Sequence, residues 1–165
     1  MQHFKWESLK DNFNDFIFDS TIIFIDNSVY ELCICLMEIV SDASVFLTVA
    51  LNEMDREWVI EKTSGYSIVS PEGLPYEVGN SLIAMKRNGR LNDREILRAF
   101  NISQRIAVKL VRVAIHAAIK IAIRFNIYAY DAYYLQCCIE NRLPLISLDG
   151  RMCGVAESLG IKVVN

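Results

Sequence analysis

From residue 37 onward, short β-branched and apolar runs alternate with longer stretches in which apolar residues recur every three or four positions. "EIVS" (38–41), "YSIVS" (66–70), "VRVAI" (111–115), "LPLIS" (143–147) and "IKVVN" (161–165) read as strands. Between them, "EMDREWVIEK", "YEVGNSLIAMKRNG", "NDREILRAFNISQR", "HAAIKIAIRFN", "YDAYYLQCCIEN" and "RMCGVAESLG" read as helices, several of which close near Gly or Asn. This alternation predicts a parallel sheet covered on both faces by helices. The best-defined helix follows Pro75: proline suits its first turn, Gly89 the position just past its end, and Val78, Leu82 and Met85 form its buried stripe. Gly79 inside it lowers helix propensity by about 1 kcal/mol relative to Ala, so a reason for it outside the helix is expected.

The acids follow this pattern. In a parallel α/β sheet, ligands bind beyond the carboxyl ends of the strands. Asp42 follows "EIVS", Asp149 follows "LPLIS", Asp131 opens the helix before that strand, and Glu77 sits in the first turn of the helix after "YSIVS". Singly, each has a plain explanation: an acid in a first helical turn gains about 0.3–1 kcal/mol from the macrodipole, and Asp before Gly often makes a turn. Together they are expected to converge, with no Lys, Arg or His beside Asp131 or Asp149. Gathered carboxylates without basic partners raise one another's pKa and call for a cation at neutral pH. All-oxygen ligation selects a hard ion, Mg²⁺ or Mn²⁺.

Composition narrows the class. The 165 residues are 53% hydrophobic and 22% charged, as expected of a globular chain, without linker or repeat. The five cysteines are odd in number and lie mostly in apolar runs, which suits reduced thiols in a cytoplasmic protein. With two histidines, neither at ligand spacing from a cysteine pair, a zinc site is not expected. His116 reads as the residue at the end of a core strand rather than as a base. The apolar stretch 16–40 is interrupted by Asp19, Asp26 and Glu31, and no basic patch opens the chain, so neither a membrane span nor a signal peptide is expected. The net charge of −3 is uneven: residues 1–36 carry two basic against six acidic side chains, the rest 15 against 14. With its carboxylates neutralised by bound cations, the body becomes basic and suits a polyanionic substrate.

"IVSDASVFLTVALNE", "LPYEVGNSLIAMKRNGRL", "YAYDAYYLQCCIENRLPLISLDGRM" and "AESLGIKVV" resemble, in order and spacing, a PIN-domain nuclease of the VapC toxin type over residues 38–165. The resemblance implies a three-layer α/β/α fold with a central parallel sheet of four to five strands. It places the family's acids on Asp42, Glu77, Asp131 and Asp149, as catalytic and metal-binding residues. Ser44 matches a hydroxyl residue that helps orient the metal site, and Asn80 a polar position beside the second acid; a helix cap and a solvated side chain are the plainer readings. The implied chemistry is cleavage of RNA by water activated with Mg²⁺ or Mn²⁺, leaving a 5′-phosphate and a 3′-hydroxyl. Lys86, Arg87 and Arg90, with Arg94 and Arg98 nearby, are candidate phosphate contacts, although cations also suit a helix C-terminus, which is the favoured reading. Tyr128, Tyr130, Tyr133 and Tyr134 suit base stacking or, at helical spacing, core and dimer contacts.

The resemblance also implies a cytoplasmic homodimer restrained by a small antitoxin of the VapB type that inserts into its groove. Two other readings remain at this point: a PIN nuclease for RNA maturation without an antitoxin, and a PIN-like binding or scaffold protein with little catalysis. Residues 1–36 depart from the family pattern and are set apart as an extension, with 37–165 as the PIN domain. Within the extension, "FKWESLKDNFNDFIF" is acidic, aromatic and amphipathic, and "TIIFIDNS" imitates a first strand with Asp26 as a rival to Asp42.

Overall fold

A computed structural model describes residues 21–25, 28–32 and 37–164. The chain divides after Cys35 into two units. In the first, β1 (Thr21–Ile25) and β2 (Ser28–Leu32) pair antiparallel, with Thr21 opposite Leu32 and Ile25 opposite Ser28. "TIIFI" thus forms a hairpin strand; Asp26, the amphipathic segment before it, Cys33 and Cys35 lie outside the described residues.

The second unit follows the order β3 (Met37–Ser41), α1 (Ala43–Leu51), α2 (Arg56–Thr63), β4 (Tyr66–Pro71), α3 (Leu74–Arg87), α4 (Asp93–Ser103), β5 (Lys109–Val111), α5 (Ile115–Phe125), α6 (Ala129–Asn141), β6 (Leu145–Ile146) and α7 (Gly150–Ser158). Its four strands are all parallel, in the order β5-β4-β3-β6. The chain moves outward from β3 to β5 and then crosses back, so the strand order reverses between β3 and β6. Such a switch point leaves a crevice beyond the strand ends.

Alternation along the strands builds three layers. On β3, Val40 faces the larger core with Phe46 of α1, Val78 and Leu82 of α3, and Leu135 of α6, while Ile39 faces a smaller core with Val45 of α1 and Val59 of α2. On β6, Leu145 and Ile146 divide between the two cores in the same way. All of these side chains are buried. Each such burial stabilises the fold by about 1.5–3 kcal/mol before chain entropy is subtracted. Helices thus cover both faces of a parallel sheet. Among the described residues, no helix is long and apolar enough to cross a membrane.

Three expectations are corrected. "VRVAI" is not a strand: β5 ends at Val111 and Ile115 begins α5. The start of α5 is fixed from outside, because Glu140 of α6 accepts a hydrogen bond from the Ala114 N–H at 3.0 Å. His116 is therefore an exposed first-turn helical residue, not the end of a core strand. "IKVVN" contributes only a bridge between Val163 and Leu145, with Asn165 outside the described residues. By contrast, "ASVFLTVAL" forms α1, a helix the periodicity did not announce, since six of its nine residues are buried and it has no polar face.

The helix after "YSIVS" forms as its sequence predicts, with proline in its first turn, Asn88 as C-cap and Gly89 at φ 71° beyond it. A Cβ on Gly79 would lie 4.0 Å from the Phe100 ring, an ordinary contact, so the described residues give no steric reason for this glycine. Cys137 and Cys138 are free buried thiols, and burial pushes Cys137 up to about 11.

Candidate active site

Asp42 directly follows β3 and is the N-cap of α1, where its carboxylate accepts from the Val45 N–H. Capping binds it to the mouth of the switch-point crevice. Two hydroxyls hold the same carboxylate: Ser44 donates to Oδ1 at 2.7 Å and Ser147 to Oδ2 at 3.0 Å. Both serines also accept backbone N–H groups from the loop after β6, Ser44 from Leu148 at 3.1 Å and Ser147 from Asp149 at 3.0 Å. The β3 and β6 ends are thereby cross-braced. On the other side, Ser70 of β4 donates to the Ser41 carbonyl.

Asp149 caps α7, accepting from the Arg151 and Met152 N–H groups at 2.8 and 3.0 Å. Glu77, in the first turn of α3, accepts a hydrogen bond from the Tyr134 hydroxyl at 2.7 Å. Asp131 lies in the first turn of α6, three residues before Tyr134 on the same helix face. The structure thus brings the sequence-selected acids to one region at the carboxyl end of the sheet.

Their electrostatics are those of an uncompensated cluster. Burial pushes Asp42 up to about 6, against the lowering effect of its serine and backbone donors. Glu77 is pushed up to about 7, first by burial and then by the charges of Asp42 and Asp131, with Tyr134 opposing. Asp131 is raised by burial and by Asp149. Repulsion links the four acids as a chain: Asp42 to Glu77, Glu77 to Asp131, Asp131 to Asp149.

The expected absence of a basic neighbour is corrected in part. Arg151 acts on Asp131 from the first turn of α7 and lowers its pKa, while its guanidinium donates to the Asn126 carbonyl. One cation does not balance four carboxylates, two of which keep pKa values near neutrality.

The other candidates separate. Ser44 meets Asp42, whereas Asn80 is exposed on α3. Lys86, Arg87 and Arg90 lie at or beyond the far end of α3; nine residues of helix put Lys86 about 13 Å along the axis from Glu77. Lys86 pairs with Asp93 and Arg90 with Glu53 at 3.4 Å. The tyrosines also divide: Tyr134 is buried, Tyr133 half-buried against Tyr130, and Tyr128 exposed. Sequence reasoning missed Ser147 as a site residue, and Tyr134 as a partner of Glu77. The only signal for Tyr134 was its place three residues after Asp131.

Among the described residues, no three His, Cys, Asp or Glu side chains stand close enough as they lie to hold a metal ion together. The donor chemistry nevertheless fits a hard divalent cation that retains several of its waters, since the donors are mutually repelling carboxylate oxygens that run from buried Asp42 to exposed Asp149.

The family model described as PIN domain matches residues 39–158. No curated protein matches the chain. Among solved structures, PAE2754 from Pyrobaculum aerophilum is similar, with TM-score 0.53 and 21% identity over 78% of this chain and 91% of its own. So is the Mycobacterium tuberculosis toxin VapC20, described as sarcin-ricin loop cleaving, with TM-score 0.52 and 12% identity over 70% of this chain and 93% of its own. At these identities the likeness is one of fold.

Proposed function

Because this chain belongs to the PIN-domain family, we propose that it is a metal-dependent endoribonuclease working through Asp42, Glu77, Asp131 and Asp149, and the toxin of a VapBC-type pair. The observation that carries this reading is the chain of mutually repelling carboxylates at the sheet switch point, running from buried Asp42 through half-buried Glu77 and Asp131 to exposed Asp149, with Asp42 and Glu77 raised to about 6 and about 7. RNA as substrate is supported by the description of VapC20 as a sarcin-ricin loop cleaving toxin. A small VapB-type antitoxin, a homodimer and a cytoplasmic location belong to the same proposal, as does the division between residues 1–36 and 37–165.

Mg²⁺ or Mn²⁺, when held by these acids, supplies a water of lowered pKa and offsets charge on the phosphoryl oxygens. The protein's part is to keep the donors in place. Asp42 is fixed by Ser44, Ser147 and the α1 N-terminus, so its carboxylate needs little reorganisation when a substrate arrives. Burial and the neighbouring carboxylates raise Glu77 to about 7, so a cation that recruited its charged form at neutral pH would displace the proton it partly carries. Asp149, the N-cap of α7, and Asp131, in the first turn of α6, flank the crevice, where Arg151 limits the charge that Asp131 feels.

A second reading, a nucleic-acid-binding or scaffold protein with little catalysis, draws on the lack of a ready three-ligand cluster among the described residues. One experiment separates the two. A mixed-sequence RNA panel is incubated with the protein and with Asp42→Asn, in Mg²⁺, in Mn²⁺ and in chelator. Metal-dependent cutting that disappears in the folded variant is the expected result. Cutting that survives Asp42→Asn or chelation would refute the assignment, and binding without cutting by either protein would favour the scaffold.

A further inference from the structure

The four acids are not held equally well. Asp42 is short and has two hydroxyl donors and a backbone donor, and Asp149 has two backbone donors. Glu77 has the longer side chain, with three rotatable bonds, yet among the described residues its carboxylate accepts one hydrogen bond, from Tyr134 Oη to Oε2 at 2.7 Å. Without that bond, ordering its side chain would be opposed by rotamer entropy of about 1–2 kcal/mol.

Tyr134 is built to supply it. Its ring is 2% exposed and belongs to the larger core, so its rotamer is fixed by packing. A phenylalanine would fill the same space without burying a hydroxyl, and a buried hydroxyl requires a partner. That partner is the Glu77 carboxylate, reached across the gap between α6 and α3. The same oxygen lies close enough to the Ala43 N–H and to Asp42 to feel both. One turn up the same face of α6 stands Asp131. The phenol therefore stands between Glu77 and Asp42, at the junction of α1, α3 and α6, on the helix that carries Asp131.

We propose that Tyr134 is a positioning residue for the carboxylate site: its hydroxyl fixes Glu77 through Oε2, which leaves Oε1 available as a ligand and ties α3 to the helix that carries Asp131. The proposal rests on the reading of these acids as a cation site. Tyr134 touches neither cation nor substrate in this role and acts through Glu77. Outer-shell hydrogen-bond partners of ligating groups commonly change metal affinity by about 10- to 100-fold.

The test is calorimetric titration of the full chain with Mn²⁺ alone, without RNA, for the wild type, Tyr134→Phe, Glu77→Gln and the double variant. Tyr134→Phe is expected to weaken Mn²⁺ binding about tenfold, with its circular dichroism unchanged. Glu77→Gln should weaken it at least as much, and the double variant no further, because the hydroxyl has nothing to position once the carboxylate is gone. Wild-type affinity in Tyr134→Phe, with Glu77→Gln impaired, would overturn the positioning role and leave the cation site standing. Losses that multiply in the double variant would make Tyr134 a general structural residue, as would failure of Tyr134→Phe to fold. Equal Mn²⁺ binding by the wild type and Glu77→Gln would remove Glu77 from the cation site itself, and the proposal with it.

Discussion

Asp42→Asn tests the electrostatic account apart from any catalysis. Asp42 is 6% exposed, and burial raises its pKa from 3.8 to about 6, net of its hydrogen bonds. Each unit is worth 1.36 kcal/mol, so ionised Asp42 opposes folding by about 3 kcal/mol at pH 8. Glu77, raised from 4.5 to about 7, acts in the same direction. The folded state holds these protons more tightly than the unfolded chain. The stability they contribute is fully present below about pH 4 and is lost as the pH rises through 6 to 7. Asparagine cannot ionise, but its amide meets the Ser147 hydroxyl as a donor, a mismatch of about 1 kcal/mol. In chelator at pH 8 the variant should be more stable than the wild type by about 1–2 kcal/mol, or roughly 3–8 °C in Tm. At pH 4 the advantage should vanish. Saturating Mg²⁺ or Mn²⁺ should reverse the order at pH 8, since a ligand at 100 times its Kd adds about 2.7 kcal/mol to the protein that binds it. Urea titrations at both pH values, with metal and with chelator, measure all four cases. A wild type that gains stability from pH 5 to 8 in chelator, or a variant less stable at pH 8, would refute the claim that Asp42 is an uncompensated buried charge.

Two further outcomes concern α3. Gly79→Ala should raise the urea midpoint by an amount equivalent to about 0.5–1 kcal/mol, because a Cβ meets Phe100 at an ordinary 4.0 Å and the helix gains propensity; a lower midpoint would show that the glycine serves close packing. Lys86→Ala should change stability by less than about 1 kcal/mol, as expected of a surface ion pair, and leave the salt dependence of RNA binding unaltered; a shallower salt slope would make Lys86 a phosphate contact.

The acids were legible because a carboxylate at a strand end or in a first helical turn is marked by its neighbours in the chain. Most helices were legible for the same reason, their apolar stripes having a polar face to contrast with. That contrast fails for α1, buried on most sides, and for "VRVAI", whose β-branched composition outweighs any local sign that Glu140 will cap the next helix. Ser147 reads as one more strand residue until β6 is laid beside β3. Tyr134 reads as core, which it is; that its hydroxyl ends on Glu77, 57 positions away, is a property of the packed fold alone. Arg151 reads as a helical surface residue, and its effect on Asp131 depends on two helix starts meeting.

The bond between Ser147 and Asp42 spans 105 positions, and this has a consequence for the protein during its own synthesis. At about 5–20 residues per second, some 5–20 s separate the appearance of Asp42 from that of the hydroxyl that locks it. Over the last part of that interval, once residue 131 has been made, the growing chain contains Asp42, Glu77 and Asp131 but not the brace that joins the β3 and β6 ends. An interrupted translation product ending between residues 131 and 146 would carry three of the four acids without β6 completed beside β3. The end of the sheet where Asp42 sits is therefore completed only when nearly the whole domain has been made, because its two halves come from opposite ends of that domain.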